Sequence, residues 1–139
     1  MSDTTVAPET IRVFLSYSLA DVRVAGEVID LLREGVSDLE VWTPDMFVKP
    51  GDDWSRNIRE ALHDCDAVVF LVTRHSASST NVGIELGAAW GLGKRIVAIK
   101  AEDEIDLPVQ VRGIQYVALT ELRKHPRRLA GVLRRSARR

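Results

Sequence analysis

The chain has 139 residues, 45% hydrophobic and 28% charged, with a net charge of −1. That is the size and balance of one globular domain able to bury a core. Its single cysteine, Cys65, excludes an internal disulfide and fits a reducing, cytoplasmic setting.

No apolar run is long enough to cross a bilayer. The opening "MSDTTVAPET" lacks the basic-then-apolar pattern of a leader, so no membrane partner is expected. The charge is uneven. Glu121–Arg139 holds eight basic residues and one acidic residue, a local +7, which leaves −8 on the remainder. No aromatic residue interleaves with those arginines, so a solvated helix face is favoured over nucleic-acid binding.

Residues 1–10 read as a disordered lead, with one domain over 11–139. "IRVFLSYS" suits a buried strand. Ser18 then starts a helix, with Asp21 at capping-box spacing. Val24, Val28, Leu31 and Leu32 form its apolar stripe, and Gly35 is a stop. "LEVW" is a second strand, followed by the loop "TPDMFVKPGDD". A helix begins near Asp52 or Asp53 and carries Trp54, Ile58, Ala61, Leu62 and Cys65 on one face. "AVVFLVT", apolar throughout, is a strand covered on both faces.

"RHSASST" reads as a polar loop in which Ser79 or Thr80 caps the next helix. That helix has Val82, Leu86, Ala89 and Trp90 as its stripe and ends at Gly93. "RIVAIK" is a strand, "AEDEIDLP" an acidic loop and "IQYVAL" a fifth strand. Pro126 opens a last, arginine-rich helix. This alternation predicts an α/β fold. Right-handed crossovers favour a flavodoxin-like arrangement, a five-stranded parallel sheet of order 2-1-3-4-5 with helices on both faces.

Between Arg74 and Lys94 the sole formal charge is Glu85. A carboxylate near a helix N-terminus gains about 0.3–1 kcal/mol from the macrodipole, which alone is a reason for a glutamate. Its neighbours are apolar or glycine, however, and burying an unpaired carboxylate costs more than that. The helix also starts at the carboxyl edge of the sheet, beside the switch point between the first and third strands, where open α/β sheets bind ligands. Glu85 is therefore expected to look into a crevice. Gly83, Gly87 and Gly91 each cost about 0.8–1 kcal/mol of helix propensity. They are read as close packing in preference to an assembly contact.

Four stretches resemble the TIR (Toll/interleukin-1 receptor-like) domain family, bacterial type. These are "RVFLSYSLAD", "VKPGDDW", "DAVVFLVTRHSASSTNVGIEL" and "LPVQVRGIQYVAL", which span about residues 11–120 in the family's order. The resemblance implies cleavage of NAD at the nicotinamide–ribose bond, giving linear or cyclic ADP-ribose, with NAD as substrate and no cofactor. It implies that Glu85 is the catalytic carboxylate. The family pattern of serine, aromatic and glutamate falls on Ser79, Asn81 and Glu85, with Asn81 where tryptophan is common. Ser16, Tyr17 and Gly51 are further implied substrate contacts. The loop Thr43–Asp53, with Asp45, Phe47, Pro50 and Asp52, is implied to gate the site and mediate self-association, or association with another TIR or a sensor protein. Bacterial immune signalling, including anti-phage defence, is the implied setting.

The residue suits the chemistry. Nicotinamide leaves as a neutral molecule, and the sugar left behind resembles an oxocarbenium ion that one carboxylate can stabilise or attack. No His, Cys and carboxylate spacing suggests a zinc site. No G-x-S-x-G surrounds Ser16 or Ser18. His63, His75 and His125 are scattered and read as surface or cap residues. The acidic cluster Glu102, Asp103, Glu104 and Asp106 reads as a solvated loop without EF-hand order. Trp54 and Trp90 read as core. Two other functions stay open. "NVGIELGAAWGLGKRIVAI" also resembles nucleoside deoxyribosyltransferases, and a non-enzymatic TIR scaffold is the third reading.

Overall fold

Ala67–Val72 is buried along its whole length, and its side chains divide by parity. Ala67, Val69 and Leu71 enter one apolar cluster; Val68, Phe70 and Val72 enter the other. A strand with period-two side chains and no polar face needs cover on both sides, and that requirement organises the domain. The computed structural model describes residues 10–47, 49–51, 53–102, 104–106, 113–114 and 116–137. All but Thr10 of the expected lead lies outside the described residues.

The strands are β1 (Ile11–Ser16), β2 (Leu39–Trp42), β3 (Ala67–Val72), β4 (Arg95–Lys100) and β5 (Tyr116–Ala118). They pair in parallel in the order β2-β1-β3-β4-β5, as the sequence predicts. The helices are α1 (Val22–Gly35), α2 (Trp54–Asp64), α3 (Arg74–Ala77), α4 (Thr80–Gly91), α5 (Leu119–Lys124) and α6 (Ala130–Ser136). Residues of α1, α5 and α6 join the cluster on one face of the sheet, and residues of α2 and α4 join the other. The fifth strand is shorter than "IQYVAL", because Leu119 already opens α5. Pro126 starts a 3-10 turn, Pro126–Leu129, ahead of α6.

Three local expectations are corrected. "RHSASST" contains the short helix α3, because Thr73 and Ser76 cap each other: Ser76 N–H donates to Thr73 Oγ1 at 3.0 Å, and Thr73 N–H to Ser76 Oγ at 2.8 Å. Ser18 caps a 3-10 turn, Leu19–Asp21, ahead of α1. Asp21 does not complete a capping box; its carboxylate accepts from Thr73 Oγ1 instead.

Gly35 does end α1, but not through a left-handed backbone, since its φ is not positive. A Cβ there would lie 2.0 Å from the Pro126 carbonyl oxygen. Glycine is required for this close approach, which seats the Pro126 turn against α1. Because the obstacle is backbone, Gly35→Ala is expected to cost about 1–3 kcal/mol in overpacking, measured by urea denaturation. A stability equal to wild type would show that the two segments separate freely.

Candidate active site

Ser16 is the last residue of β1 and is fully buried beside β3, in register with Phe70. Its hydroxyl donates to Glu85 Oε1 at 2.6 Å. Glu85 is the sixth residue of α4 and is 2% exposed. The helix is capped by Ser79, whose side chain accepts from Val82 N–H at 3.3 Å. Glu85 is thus past the first turn, where the macrodipole has faded. That reason for a glutamate does not hold here.

The carboxylate has one hydrogen-bonding side-chain partner among the described residues, and that partner is neutral. Burial pushes its pKa up from 4.5 to about 7, and the Ser16 hydrogen bond works in the opposite direction. A group that titrates near neutrality in a cleft is a marker of a functional site.

The cleft is about 480 Å³ and is lined by Tyr17, Ser18, Leu19, Pro44, Asp45, Trp54, Ser79, Asn81 and Glu85. It lies at the carboxyl ends of β1 and β3, the switch point of this strand order. Two elements hold its walls together. The Asp21–Thr73 hydrogen bond ties the turn after β1 to the residue after β3. On the opposite wall, Asn57 Nδ2 donates to the Phe47 carbonyl at 2.8 Å, and Phe47 packs edge-on to Trp42 with centroids 5.3 Å apart. That pins the loop carrying Pro44 and Asp45. The Tyr17 phenol is held above its ordinary pKa by burial first, then by Asp45, and also by Glu85.

The structure brings Tyr17, Ser79, Asn81 and Glu85 into one cleft. Ser16 stands behind Glu85 rather than on the surface of the cleft. Gly51 has a positive φ of 88° but does not line the cleft. Of the loop residues, Asp45 faces the cleft, Phe47 is half-buried against the core, Pro50 is exposed, and Asp52 lies outside the described residues.

Sequence reasoning missed Trp54 as a cleft residue. Asp53 caps α2 through Arg56 N–H, which puts Trp54 at the very start of the helix, beside the loop, half-buried between core and cleft. A tryptophan directly after a capping aspartate, at the end of a long loop, was the available signal. Trp90 is also corrected: it is 72% exposed, not core. Gly83, Gly87 and Gly91 have nothing within 4 Å of where a Cβ would stand, so close packing within the chain is not their reason. Ile84 is exposed on that same side of the helix.

Glu102 pairs with Arg74 at 3.1 Å, and Asp103 lies outside the described residues. No cluster of potential metal ligands occurs among the described residues. No described helix is long and apolar enough to cross a membrane.

A family model for the TIR domain matches residues 13–133. No curated protein sequence matches the chain. Among solved structures, the chain is similar to the TIR domain of the Toll-related receptor TRR-2 from Hydra magnipapillata. The TM-score is 0.67 at 17% identity, covering 89% of this chain and 96% of that one. It is also similar to the CMP N-glycosidase BcmB of Clostridium botulinum (0.61, 21% identity, 86% and 98% covered). A third similar structure is a 2-deoxyribosyltransferase from Bacillus psychrosaccharolyticus (0.66, 16% identity, 88% and 95% covered). At these identities the likeness is one of fold.

The raised pKa of Glu85 has a consequence for stability. Below about pH 4.5 the carboxyl is protonated in folded and unfolded chains alike. Between there and about 7 the unfolded chain releases its proton first, so stability falls as pH rises through that window. Glu85→Gln removes this penalty. Relative to wild type it is expected to gain on the order of 3 kcal/mol between pH 4 and pH 8, measured by urea denaturation at both. A difference between the two proteins that does not change with pH would contradict the burial of this charge.

Proposed function

The chain belongs to the TIR domain family, and from that premise we propose that it cleaves the bond between nicotinamide and ribose in NAD, with Glu85 as the catalytic carboxylate. The observation that carries the reading is a buried acid, bonded to one neutral hydroxyl, at the wall of an open cleft of nucleoside size. Among the described residues such a group has no charged partner to offset its cost. An arriving positive charge supplies one.

The C–N bond breaks with its electron pair going to the ring nitrogen, so nicotinamide departs neutral. The positive charge moves to the ribose as an oxocarbenium-like centre. The Glu85 carboxylate stabilises that centre in a low-dielectric wall, or bonds to the anomeric carbon. Water then adds its oxygen to that carbon and releases a proton, giving ADP-ribose, and where Glu85 has bonded there its C–O bond breaks and the carboxylate leaves; attack by a ring nitrogen of the adenine in the same way gives the cyclic product. Ser16 holds the carboxylate in place and favours its charged form. NAD is the substrate in this scheme, and no cofactor takes part. Self-association through the Thr43–Asp53 loop, in bacterial immune signalling, belongs to the same proposal.

A second reading is cleavage of a neutral nucleoside or nucleotide. The likeness to a CMP N-glycosidase and a 2-deoxyribosyltransferase favours it, since those names imply the same bond type with a different base. Concentrated protein incubated with NAD, and separately with CMP or a deoxynucleoside plus free base, separates the two. The expected outcome is nicotinamide release that falls about 10²–10³-fold in Glu85→Gln. In wild type kcat/KM should rise with pH and level off above about 7, since the ionised acid is the working form. Base release from CMP without nicotinamide release from NAD would replace the first reading with the second. Undiminished NAD cleavage by Glu85→Gln would remove Glu85 from the chemistry.

A further inference from the structure

A second cavity lies away from the cleft, along the amino ends of β4 and β5 and against the last helix. Its volume is about 770 Å³, within the range of roughly 300–1,000 Å³ that small-molecule sites occupy. It shares no lining residue with the cleft beside Glu85.

Its charge is one-sided. Lys94, Arg95, Arg128 and Arg135 line it, and among the described residues no acid does. The sequence sets this up. Arg128, Val132 and Arg135 are spaced four and three apart, so they share one side of the closing turn and α6. Gly93, with a φ of 69°, turns the chain out of α4, and Lys94 and Arg95 follow it into β4. Buried Val97 and Leu129 also line the cavity, so apolar surface stands beside the cations.

These cations are poorly neutralised within the chain. Lys94 Nζ donates to the carbonyls of His63 and Cys65, at 2.6 and 2.7 Å. Both acceptors are neutral, so the ammonium is fixed in place with its charge intact. Arg135 folds back over Gly131, where a Cβ would stand 3.3 Å from its Nη1. Neither Arg95 nor Arg135 has an acidic partner among the described residues. Arg128 has one, Glu121 at 3.8 Å. Like charges gathered around one cavity repel one another, and a polyanion turns that repulsion into attraction.

We propose that this cavity is a second ligand site, for a small molecule bearing a pyrophosphate group, with Arg95 and Arg135 holding the phosphates and Lys94 as a fixed point charge beside them. Guanidinium forks bind phosphate oxygens bidentately, and an ammonium attracts them without that geometry. Two unpaired guanidiniums match two phosphates; a single phosphate leaves one of them unmatched. Binding here needs no acid at position 85, so it is independent of the cleavage proposed above and persists in Glu85→Gln.

The probes are inorganic pyrophosphate and ADP, with orthophosphate at matched ionic strength as the comparison. Isotope-labelled protein is titrated and followed by amide chemical shifts. Both probes are expected to give saturable shifts at Lys94, Tyr116 and Val132, and to bind about tenfold more tightly than orthophosphate. Arg95→Gln and Arg135→Gln should each weaken pyrophosphate binding about tenfold. Arg134→Gln removes the same charge one residue away and outside the cavity, and should change binding by no more than about twofold. All three arginines are exposed, so these variants keep the fold.

Orthophosphate binding as tightly as pyrophosphate, or equal losses in Arg134→Gln and Arg135→Gln, would reveal diffuse attraction to a basic surface and overturn the site. Shifts confined to the cleft beside Glu85 would overturn it too. So would displacement of pyrophosphate by the acidic peptide AEDEID, the sequence of residues 101–106, at a lower concentration than ADP requires, since the groove would then be a protein-docking surface.

Discussion

A single hydrogen bond, from Ser16 to Glu85, joins the end of β1 to the second turn of α4. It is possible because β1 and β3 are neighbours in parallel register, and the helix that follows β3 folds back along the same sheet edge. Everything chemical about the site depends on this link. Without it the carboxylate would be a buried charge with nothing to hold its direction. With a cation in place of Ser16 it would be a neutralised ion pair with little left for a ligand. A neutral donor orients the acid and leaves most of its charge unspent, which is the arrangement that electrostatic stabilisation of a developing cation requires.

The surrounding fold is built to keep that arrangement rigid. Val82, Leu86 and Ala89 bury one side of α4 in the cluster that also receives Phe14 and Phe70. Burying side chains of this size is worth about 1.5–3 kcal/mol each for the larger ones, enough to offset the cost of one awkward acid. The Asp21–Thr73 hydrogen bond closes the two loops over the strand ends. On the proposed function, activity and stability pull apart at position 85, as they commonly do where a site stores an unfavourable group.

Much of this was legible in the residues because two strong periodicities coincide. "AVVFLVT" has no polar face, and α1 and α2 carry clean stripes, so the α/β class followed from their alternation, and right-handed crossovers narrowed the strand orders to a few. Glu85 stood out because no other charge surrounds it. The misreadings share a physical cause: they concern side chains whose partners are far away in sequence. Asp21 has capping spacing, yet Thr73 outcompetes the local backbone for it. Trp90 sits at a stripe position, yet it is exposed to solvent. The three glycines looked like packing devices because only a structure shows that their side of the helix is uncovered. Trp54 was hidden for the converse reason. At the first turn of a helix a stripe residue can face both the core and a cleft, and periodicity registers only the core.

The most direct measurement of the central claim is a crystal structure of Glu85→Gln with NAD bound, the substitution keeping the volume while stopping the reaction. The account predicts the nicotinamide-ribose portion of NAD in the cleft, with the anomeric carbon within roughly 3–3.5 Å of the residue-85 side chain, as a near-attack arrangement requires. A dinucleotide bound elsewhere on the domain, with this cleft holding only water, would contradict it.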